Sequence, residues 1–511
     1  MKLTISHKFI LLPLCLRTSY AFSPVYSSIV QRSPSFLLNQ ASDEIHVLKK
    51  YDDYQEQMEA LSFLSTVASD TTDLIGEAQE IFDNMFQKWY DDDREDLEPT
   101  TAIYNSLISV YGHSGDAKTA SSIFQKMVDD TEGIPEADEQ TYITMLEIYE
   151  KNRNMKKAKE ILALYQEKHD DISVDIYNMM LTLYKRSGDW NSPQEAEELL
   201  QSMPSPNTKS FCLVMQCYNR NSHKSKVLLA IEKINELADT MKNLGRDDVN
   251  ANDRSIMNER IKSIATRRDK TAFEDAEKLL MEMTERLDEN EKPSASTFIN
   301  TINVLRGDRS ASATKKSMTL LEVLKDMYKK ELESEGNWEK LKPDTRVVNA
   351  VMNVVARTKA KGKAQLTKDL LSDLVKAHKE SQDDDYSPNL RTYNNVITAC
   401  AFTRGNEGEC EEALKIMVET FNEMKIPESR HQPNQVTFGL FLKGLSNLVK
   451  DEGKRQNIAE NLFRKCCRDG YVNQFVLDSL VEATSADFVE KILGRADEDG
   501  VSIPEEWCRQ L

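Results

Sequence analysis

Apolar residues recur every three to four positions along most of the chain, and short polar segments interrupt this pattern at regular intervals. In the stretch 101–127, Tyr104 and Leu107 lie on one helical face, Gly115 breaks the periodicity, and a second apolar face that includes Phe124 follows. This spacing predicts two amphipathic helices joined by a tight turn. Because a single hairpin cannot bury its own apolar face, consecutive hairpins must stack. The pattern therefore predicts an all-α fold, an α-solenoid superhelix of stacked helical hairpins.

The hairpin pattern repeats at intervals of 34 to 50 residues, which suits a chain of 511 residues that is too long for one compact core. The predicted units start at residues 101, 139, 174, 208, 254, 295, 345, 390 and 435. Longer units carry polar insertions such as residues 306–316, which we expect to form loops. The predicted segments are a targeting presequence (1–42), N-terminal helices with a partial repeat (43–100), about nine repeats (101–474), and a capping helix with a tail (475–511).

An asparagine follows a tyrosine early in three first helices, at Asn105, Asn178 and Asn394, and a proline closes several units, as in KPD at 342–344. These features resemble the pentatricopeptide repeat family, and the chain is similar to its P-type members, which lack an added catalytic domain, in an organelle-targeted, algal-like form. No unit has the Trp, Leu-Gly and Tyr set of the tetratricopeptide repeat. The resemblance covers the predicted array, is weakest at 208–294, and implies a right-handed superhelix.

The resemblance also implies a site. Members of the family bind single-stranded RNA one base per repeat, and the base edge meets the residue after the tyrosine and the last residue of the repeat. Amides and short carboxylates suit this role because they offer donors or acceptors at a fixed reach. The implied RNA-binding pairs are Asn105 with Asp138, Asn178 with Asn207, Asn258 with Ser294, Asn349 with Asn389, and Asn394 with Asn434. The first pair implies uridine, and the other four imply a pyrimidine.

Four units depart from the family's pattern, because Ile143, Cys212, Ile299 and Gly439 stand where a reading residue is expected. The expected partner is therefore a pyrimidine-biased single strand of RNA with several unread positions. The expected role is non-enzymatic, in the processing, stability or translation of organellar transcripts. A protein-binding α-solenoid scaffold is the alternative, and protein partners are compatible with both roles.

The net charge of −19 opposes RNA binding, since affinity for phosphates depends on Lys and Arg. The first fourteen residues of the nine units, however, hold 14 Lys or Arg against 6 Asp or Glu. The acid is concentrated in the second helices and the loops, and the distribution of charge governs how a polyanion binds. We expect modest, salt-sensitive binding.

The motifs of an enzyme are missing from the sequence. Neither the H-x-E with a later P-C-x-x-C of a deaminase nor the H-E-x-x-H of a metalloprotease occurs, and no glycine-rich phosphate loop is present. The eight cysteines form no C-x-x-C pair, which favours a reduced interior over disulfides or zinc. We expect no catalytic residues, no metal site and no cofactor.

The N-terminal segment has a different composition from the array. An apolar run of eight residues ends at Leu16, Ser19 and Ala21 are placed like a cleavage site, and residues 22–42 hold six serines and no acid. With Phe22 after the cleavage position, the segment resembles the bipartite presequence of algae with complex plastids. Delivery to the plastid is expected, and a mitochondrial or secretory presequence remains open. The apolar run is far shorter than the roughly 20 residues of a membrane span, so the mature form is expected to be free of the membrane.

Overall fold

The computed structural model describes residues 74–91, 98–129, 131, 133–169, 171–221, 227–267, 269–334, 336–424, 431–485 and 504–510. These ranges contain 20 α-helices, four short 3-10 turns and no strand, so the predicted all-α fold class is confirmed. The helices are α1 (Leu74–Asp91), α2 (Thr101–His113), α3 (Ala117–Val128), α4 (Glu139–Lys151), α5 (Met155–Lys168), α6 (Val174–Ser187), α7 (Ser192–Ser202), α8 (Thr208–Asn221), α9 (Val227–Leu244), α10 (Arg254–Ala265), α11 (Ala272–Thr284), α12 (Ala295–Val304), α13 (Ala311–Glu333), α14 (Thr345–Arg357), α15 (Lys363–Ser381), α16 (Leu390–Ala401), α17 (Glu407–Met424), α18 (Gln435–Leu448), α19 (Glu452–Asp469) and α20 (Gln474–Ala483). The predicted presequence lies outside the described residues.

The chain divides into two compact units, one ending at Asp171 and the other starting at Ile172. In both units an even-numbered helix is the first helix of a hairpin and the next odd-numbered helix is the second. Helix α2 packs on α4 in the first unit, and the even-numbered helices from α6 to α20 pack one on the next in the second unit. Helices α2 to α18 of the even series begin at the nine residues where the sequence places the unit starts. Each unit is therefore built from stacked helical hairpins.

Small residues allow the helices of each hairpin to approach closely. The alanine near the start of the second helix has no exposed surface at Ala120, Ala158, Ala196, Ala276 and Ala413. Gly112 in α2 has the same role between first helices, because a Cβ placed there would lie 2.2 Å from Cδ1 of Ile148 in α4. Interiors packed this tightly leave no space for an added methyl group.

The expected loop at residues 306–316 is wrong in its second half, because residues 311–316 form the start of α13. Ser310 caps that helix through a hydrogen bond from the backbone N–H of Ala313 to its hydroxyl, at 3.3 Å. The serine cap and the alanines that follow it favour a helix, although the segment lacks apolar periodicity.

The C-terminal residues 504–510 pack against α19. The backbone N–H of Val472 donates to the carbonyl of Trp507 at 2.8 Å, and the Trp507 ring meets Phe463 edge to face. No helix in the described ranges is long and apolar enough to cross a membrane. The seven cysteines within those ranges are free thiols, and no group of three potential metal ligands occurs among them.

Candidate nucleic-acid interface

The last residue of a predicted reading unit begins the next first helix as its N-cap. Oδ1 of Asp138 accepts hydrogen bonds from the backbone N–H of Thr141 at 2.8 Å and from its hydroxyl at 2.7 Å, while the N–H of Asp138 donates to the same hydroxyl at 3.1 Å. This reciprocal capping box satisfies N–H groups that a helix leaves unpaired and contributes about 1 kcal/mol. The cap fixes the position of the carboxylate at the start of α4.

Asn105 and Asp138 are brought together as predicted residues of one site. Nδ2 of Asn105 donates to Oδ1 of Asp138 at 3.1 Å. Asn105 is 8% exposed, whereas Asp138 is exposed. Oδ1 of Asn105 is buried and has no hydrogen-bond partner among the described residues. The pair therefore holds a fixed carboxylate beside an amide with an unused acceptor.

Asn349 and Asn389 form the equivalent pair in the second unit. Nδ2 of Asn349 donates to Oδ1 of Asn389 at 3.4 Å, and Asn389 caps α16 through a capping box with Thr392. Asn395, which was not predicted, donates from Nδ2 to the backbone carbonyl of Asn349 at 3.3 Å and to its Oδ1 at 3.4 Å. Asn349 is 3% exposed and Asn389 is exposed, so the outer member of the pair is again the accessible one.

Asn178 and Asn207 are joined through a third residue, Ser210, which was not predicted. The hydroxyl of Ser210 lies 2.8 Å from Oδ1 of Asn178 and 3.0 Å from Oδ1 of Asn207. Because a hydroxyl has one proton, it donates to one of these oxygens at a time. Nδ2 of Asn178 is buried without a partner among the described residues, and the residue is only 1% exposed.

Asn394 and Asn434 are bridged in the same way. The hydroxyl of Thr437 lies 2.8 Å from Oδ1 of Asn394 and 3.1 Å from Oδ1 of Asn434, which caps α18. In both bridged pairs the linking residue is the third residue of the next first helix. The spacing Asn-x-x-Ser or Asn-x-x-Thr is a capping-box signal that could have identified these linkers from the sequence.

Asn258 and Ser294 are not joined by a hydrogen bond in the described ranges. Oδ1 of Asn258 accepts instead from Nδ2 of Asn300 at 3.4 Å. Ser294 caps α12 in a capping box with Thr297. This repeat belongs to the segment 208–294, in which the repeat pattern is weakest.

Two of the repeats that lack a reading residue have an apolar group at the position where that residue is expected. Cys212 is 6% exposed, and burial raises the pKa of its thiol to about 11 despite a hydrogen bond with Ser255. At Gly439, an added Cβ would lie 2.3 Å from Cε1 of Phe475, so the phenylalanine ring occupies that position. Neither of these two repeats offers an amide to a base edge.

The surroundings of the predicted pairs differ in charge. A cavity of roughly 680 Å³ in the second unit is lined by Asn389 and Asn394 together with Arg306, Arg357 and Arg391, and no Asp or Glu is among its described lining residues. The surface next to the Asn394 pair is therefore cationic.

The first unit has acid on α4. The side chain of Glu147 is exposed. Its pKa is nevertheless raised above the ordinary value, by burial of part of the carboxyl group and by the neighbouring Glu150. We attribute the shift mainly to the neighbouring carboxylate, because the side chain as a whole retains solvent access. This stretch of the first unit repels a polyanion.

Stacked helical hairpins, most of whose first helices begin at an Asp, Asn or Ser cap, define a helical repeat protein of the kind that presents an extended binding surface. Residues 102–131 match the family model described as PPR repeat, and residues 130–186 match the one described as Pentatricopeptide repeat domain. Residues 102–186 therefore carry pentatricopeptide repeats.

Solved structures give a broader but weaker likeness. The chain is similar to the pentatricopeptide repeat protein PPR10 in complex with an 18-nt psaJ RNA element, at 16% identity and a TM-score of 0.45, covering 92% of this chain and 65% of that one. It is also similar to PPR10 from maize, at 15% identity and a TM-score of 0.39, covering 88% of this chain and 64% of that one. The chain thus spans just under two thirds of the length of these proteins. No curated protein sequence matches it.

Proposed function

We propose that this protein binds single-stranded RNA and reads pyrimidines through its capped amide pairs. The observation that carries the proposal is the joining of Asn105 to Asp138 by a 3.1 Å hydrogen bond that leaves Oδ1 of Asn105 without a partner among the described residues. A buried polar atom without a partner costs about 1–3 kcal/mol, so a ligand that satisfies it gains free energy on binding. The RNA-bound state of PPR10 is a further support for RNA as the partner.

The chemistry of the pairs favours pyrimidines. The carboxylate of Asp138 can only accept hydrogen bonds, and the N3–H of uracil supplies a donor on the Watson–Crick edge. A pair of two asparagines can donate and accept, which suits either uracil or cytosine. Asn178 with Asn207, Asn349 with Asn389, and Asn394 with Asn434 are pairs of this type.

The cellular role follows from binding without catalysis. The protein acts by occupying a transcript, and this affects its processing, stability or translation. Delivery to the plastid is part of the proposal because of the composition of residues 1–42, and the mitochondrion is the alternative destination.

Asp138→Asn tests the reading role without removing the helix cap, because Asn and Asp are equally good N-caps. The full chain should bind a fluorescent U-rich RNA and lose about 5- to 10-fold in affinity when one particular U is replaced by C, about 1 kcal/mol or slightly more. In the variant this loss should fall below about twofold. Fluorescence anisotropy at low salt measures both values.

Asp116→Asn is the matched control. Asp116 caps α3 in the same unit and accepts from the backbone N–H of Thr119 at 3.1 Å, but it lies in the turn within the hairpin and not at a reading position. This variant should keep the full preference for U. Absence of RNA binding at 50 mM salt, or an unchanged preference in Asp138→Asn, would refute the proposal.

A further inference from the structure

The second unit contains a large cavity at the turns that connect the first and second helices of four consecutive hairpins. It has a volume of roughly 1500 Å³ and lies among the loops α10–α11, α12–α13, α14–α15 and α16–α17. The cationic residues that line it are Lys270, Arg306, Arg309, Lys316, Arg357, Lys359, Lys363 and Arg404. Only two acidic residues, Asp269 and Asp308, accompany them among the described lining residues.

Asp269 pairs with a cation outside the cavity, and Asp308 is the one carboxylate held within the described lining. A carboxylate oxygen of Asp269 lies 2.8 Å from Nε of Arg267, and Asp308 accepts from the backbone N–H of Ser310 at 2.8 Å. Among the lining cations, Lys316 pairs with Glu274 at 2.9 Å. No carboxylate in the described ranges lies within ion-pair distance of the other lining cations. Most of the positive charge of the cavity is therefore uncompensated.

The arginines are close enough to repel one another. Partial burial, followed by the charges of Arg306 and Arg309, lowers the pKa of the Arg357 guanidinium from its ordinary value. Nε of Arg357 donates to Oδ1 of Asn353 at 2.9 Å, which fixes the guanidinium at the end of α14. A bound anion would relieve this repulsion, and planar guanidinium groups match phosphate oxygens well.

A buried ammonium group lines the same cavity. Lys363 is 4% exposed, and its Nζ donates to the carbonyls of Ala356 at 3.0 Å and Thr358 at 2.9 Å. The third N–H of this ammonium has no hydrogen-bond partner in the described ranges. Burial, with a smaller effect of Arg404, lowers the pKa of Lys363 to about 8, so most of this charge is present at neutral pH. A charge buried in this way is costly unless a counter-charge is near.

We propose that this cavity is a phosphate site that holds one or more phosphate groups of an RNA strand. Its volume exceeds the roughly 300–1,000 Å³ of an ordinary small-molecule pocket, which favours a segment of strand over a single small anion. The cavity shares Arg306, Arg357 and Thr398 with the neighbouring cavity that contains Asn389 and Asn394. Phosphates held here belong to a strand whose bases reach the adjacent amide pair.

The inference deepens the proposed function and rests on it for the source of the phosphate. Internal phosphodiesters and a terminal phosphate monoester share the same chemistry, and the experiment distinguishes them. The probes are a U-rich nine-nucleotide RNA with hydroxyl groups at both ends, the same RNA with a 5′-phosphate, the same RNA with a 3′-phosphate, and pyrophosphate alone. Anisotropy measures the RNAs, and thermal stabilisation of the full chain measures pyrophosphate.

The test variant is Arg306→Gln with Arg404→Gln, and the matched control is Arg246→Gln with Arg464→Gln. Both doubles remove two positive charges, but Arg246 and Arg464 lie outside the cavity and pair with Asp248 and Glu460. Arg306 and Arg404 are exposed, so the test double should fold normally, which circular dichroism verifies.

The test double should weaken at least one probe about 10-fold or more relative to the control double at 50 mM salt. An equal loss for all three RNAs, with a salt slope reduced by about 0.7 per lost contact, assigns internal phosphodiesters. A loss confined to one phosphorylated RNA assigns a terminal phosphate. Equal binding of every probe by the two doubles would overturn the phosphate site.

The failure of this inference can be told apart from failure of the proposed function. Stabilisation by pyrophosphate that is lost in the test double supports the anion site even if no RNA binds, and that result refutes only RNA binding. Conversely, a preference for U that depends on Asp138, together with equal RNA and pyrophosphate binding by both doubles, keeps the reading function and removes the phosphate site.

Discussion

The first and second units use the same capped pair in opposite electrostatic settings. In the first, Asp138 is a carboxylate, and Glu147 and Glu150 add acid on the helix that it caps. In the second, Asn389 and Asn394 are neutral amides beside a cluster of arginines. One setting favours discrimination between bases, and the other favours attraction of a polyanion.

This difference explains how a chain with a net charge of −19 can be proposed to bind RNA. Phosphate contacts provide affinity without sequence information, whereas contacts to base edges provide specificity. Under the proposed function, the carboxylate of Asp138 selects a base edge with a donor but repels the strand. The arginines that line the cavity of the second unit then attract a strand regardless of its sequence. Affinity and specificity are therefore expected to respond to different substitutions.

Asn349→Ala should produce the largest change in stability at the pairs. Asn349 is 3% exposed and its side chain bonds with both Asn389 and Asn395. We expect the local free energy of opening around α14 to fall by about 1–2 kcal/mol. Hydrogen exchange is the appropriate measurement, because repeat arrays do not unfold in a single step.

Asn105→Ala is the comparison in the first unit. It removes one hydrogen bond but also removes the buried Oδ1 that has no described partner, and Asp138 keeps its capping box. The local loss around α2 should be about 0.5 kcal/mol or less. If the local stability around α2 fell as much as it does around α14 in Asn349→Ala, the bond between Asn105 and Asp138 would be a structural contact. It would then not support a role in ligand binding.

Arg391→Gln should weaken RNA binding by about 5-fold, roughly 1 kcal/mol, and by the same factor for U-rich, C-rich and A-rich strands. Arg391 is exposed and lines the cavity beside Asn389 and Asn394. Anisotropy over a salt series should show a slope reduced by about 0.7. Arg464→Gln, which removes a charge from α19, is the control. A loss confined to one sequence would show that Arg391 reads a base.

The residue pattern predicted the hairpins, whereas the pairs were implied by the resemblance to the pentatricopeptide repeat family. Proline, glycine and an N-cap residue mark each helix boundary locally, so α4 and α16 begin where the pattern places them. The last residue of a repeat meets the fifth residue of the first helix of the same repeat, because the next repeat stacks directly on that helix. The resemblance to the pentatricopeptide repeat family implied the pair of Asn105 and Asp138, and the stacking of regular hairpins accounts for it.

The remaining features depend on contacts that a local pattern does not contain. Nothing local indicates that Asn395, and not Asn394, bonds to Asn349 forty-six positions earlier. Similarly, nothing local indicates that Asn258 accepts a hydrogen bond from Asn300, forty-two positions later, and not from Ser294. The cationic cavity combines turns from four hairpins separated by their second helices, so its residues are far apart in the sequence.

Glu147→Gln should have the smallest effect and should sharpen the contrast between the units. The pKa of Glu147 is raised, so its ionised form is disfavoured in the folded protein, and stability is lost as the pH rises toward 7. The variant should therefore be slightly more stable than the wild type at pH 7, and the difference should vanish well below the ordinary pKa of a glutamic acid. RNA affinity should rise about twofold at pH 7 and low salt, because one repulsive charge is removed.

Other titratable groups of the first unit determine how this experiment must be designed. Glu150 lies on the same helix as Glu147, and His113 on α2 has a pKa that is lowered by burial and by Lys151. Titrating wild type and variant in parallel between pH 5 and pH 8 isolates Glu147, since the other groups are common to both. Gains in affinity that persist unchanged at 0.5 M salt would contradict the electrostatic origin, because exposed charges are screened there.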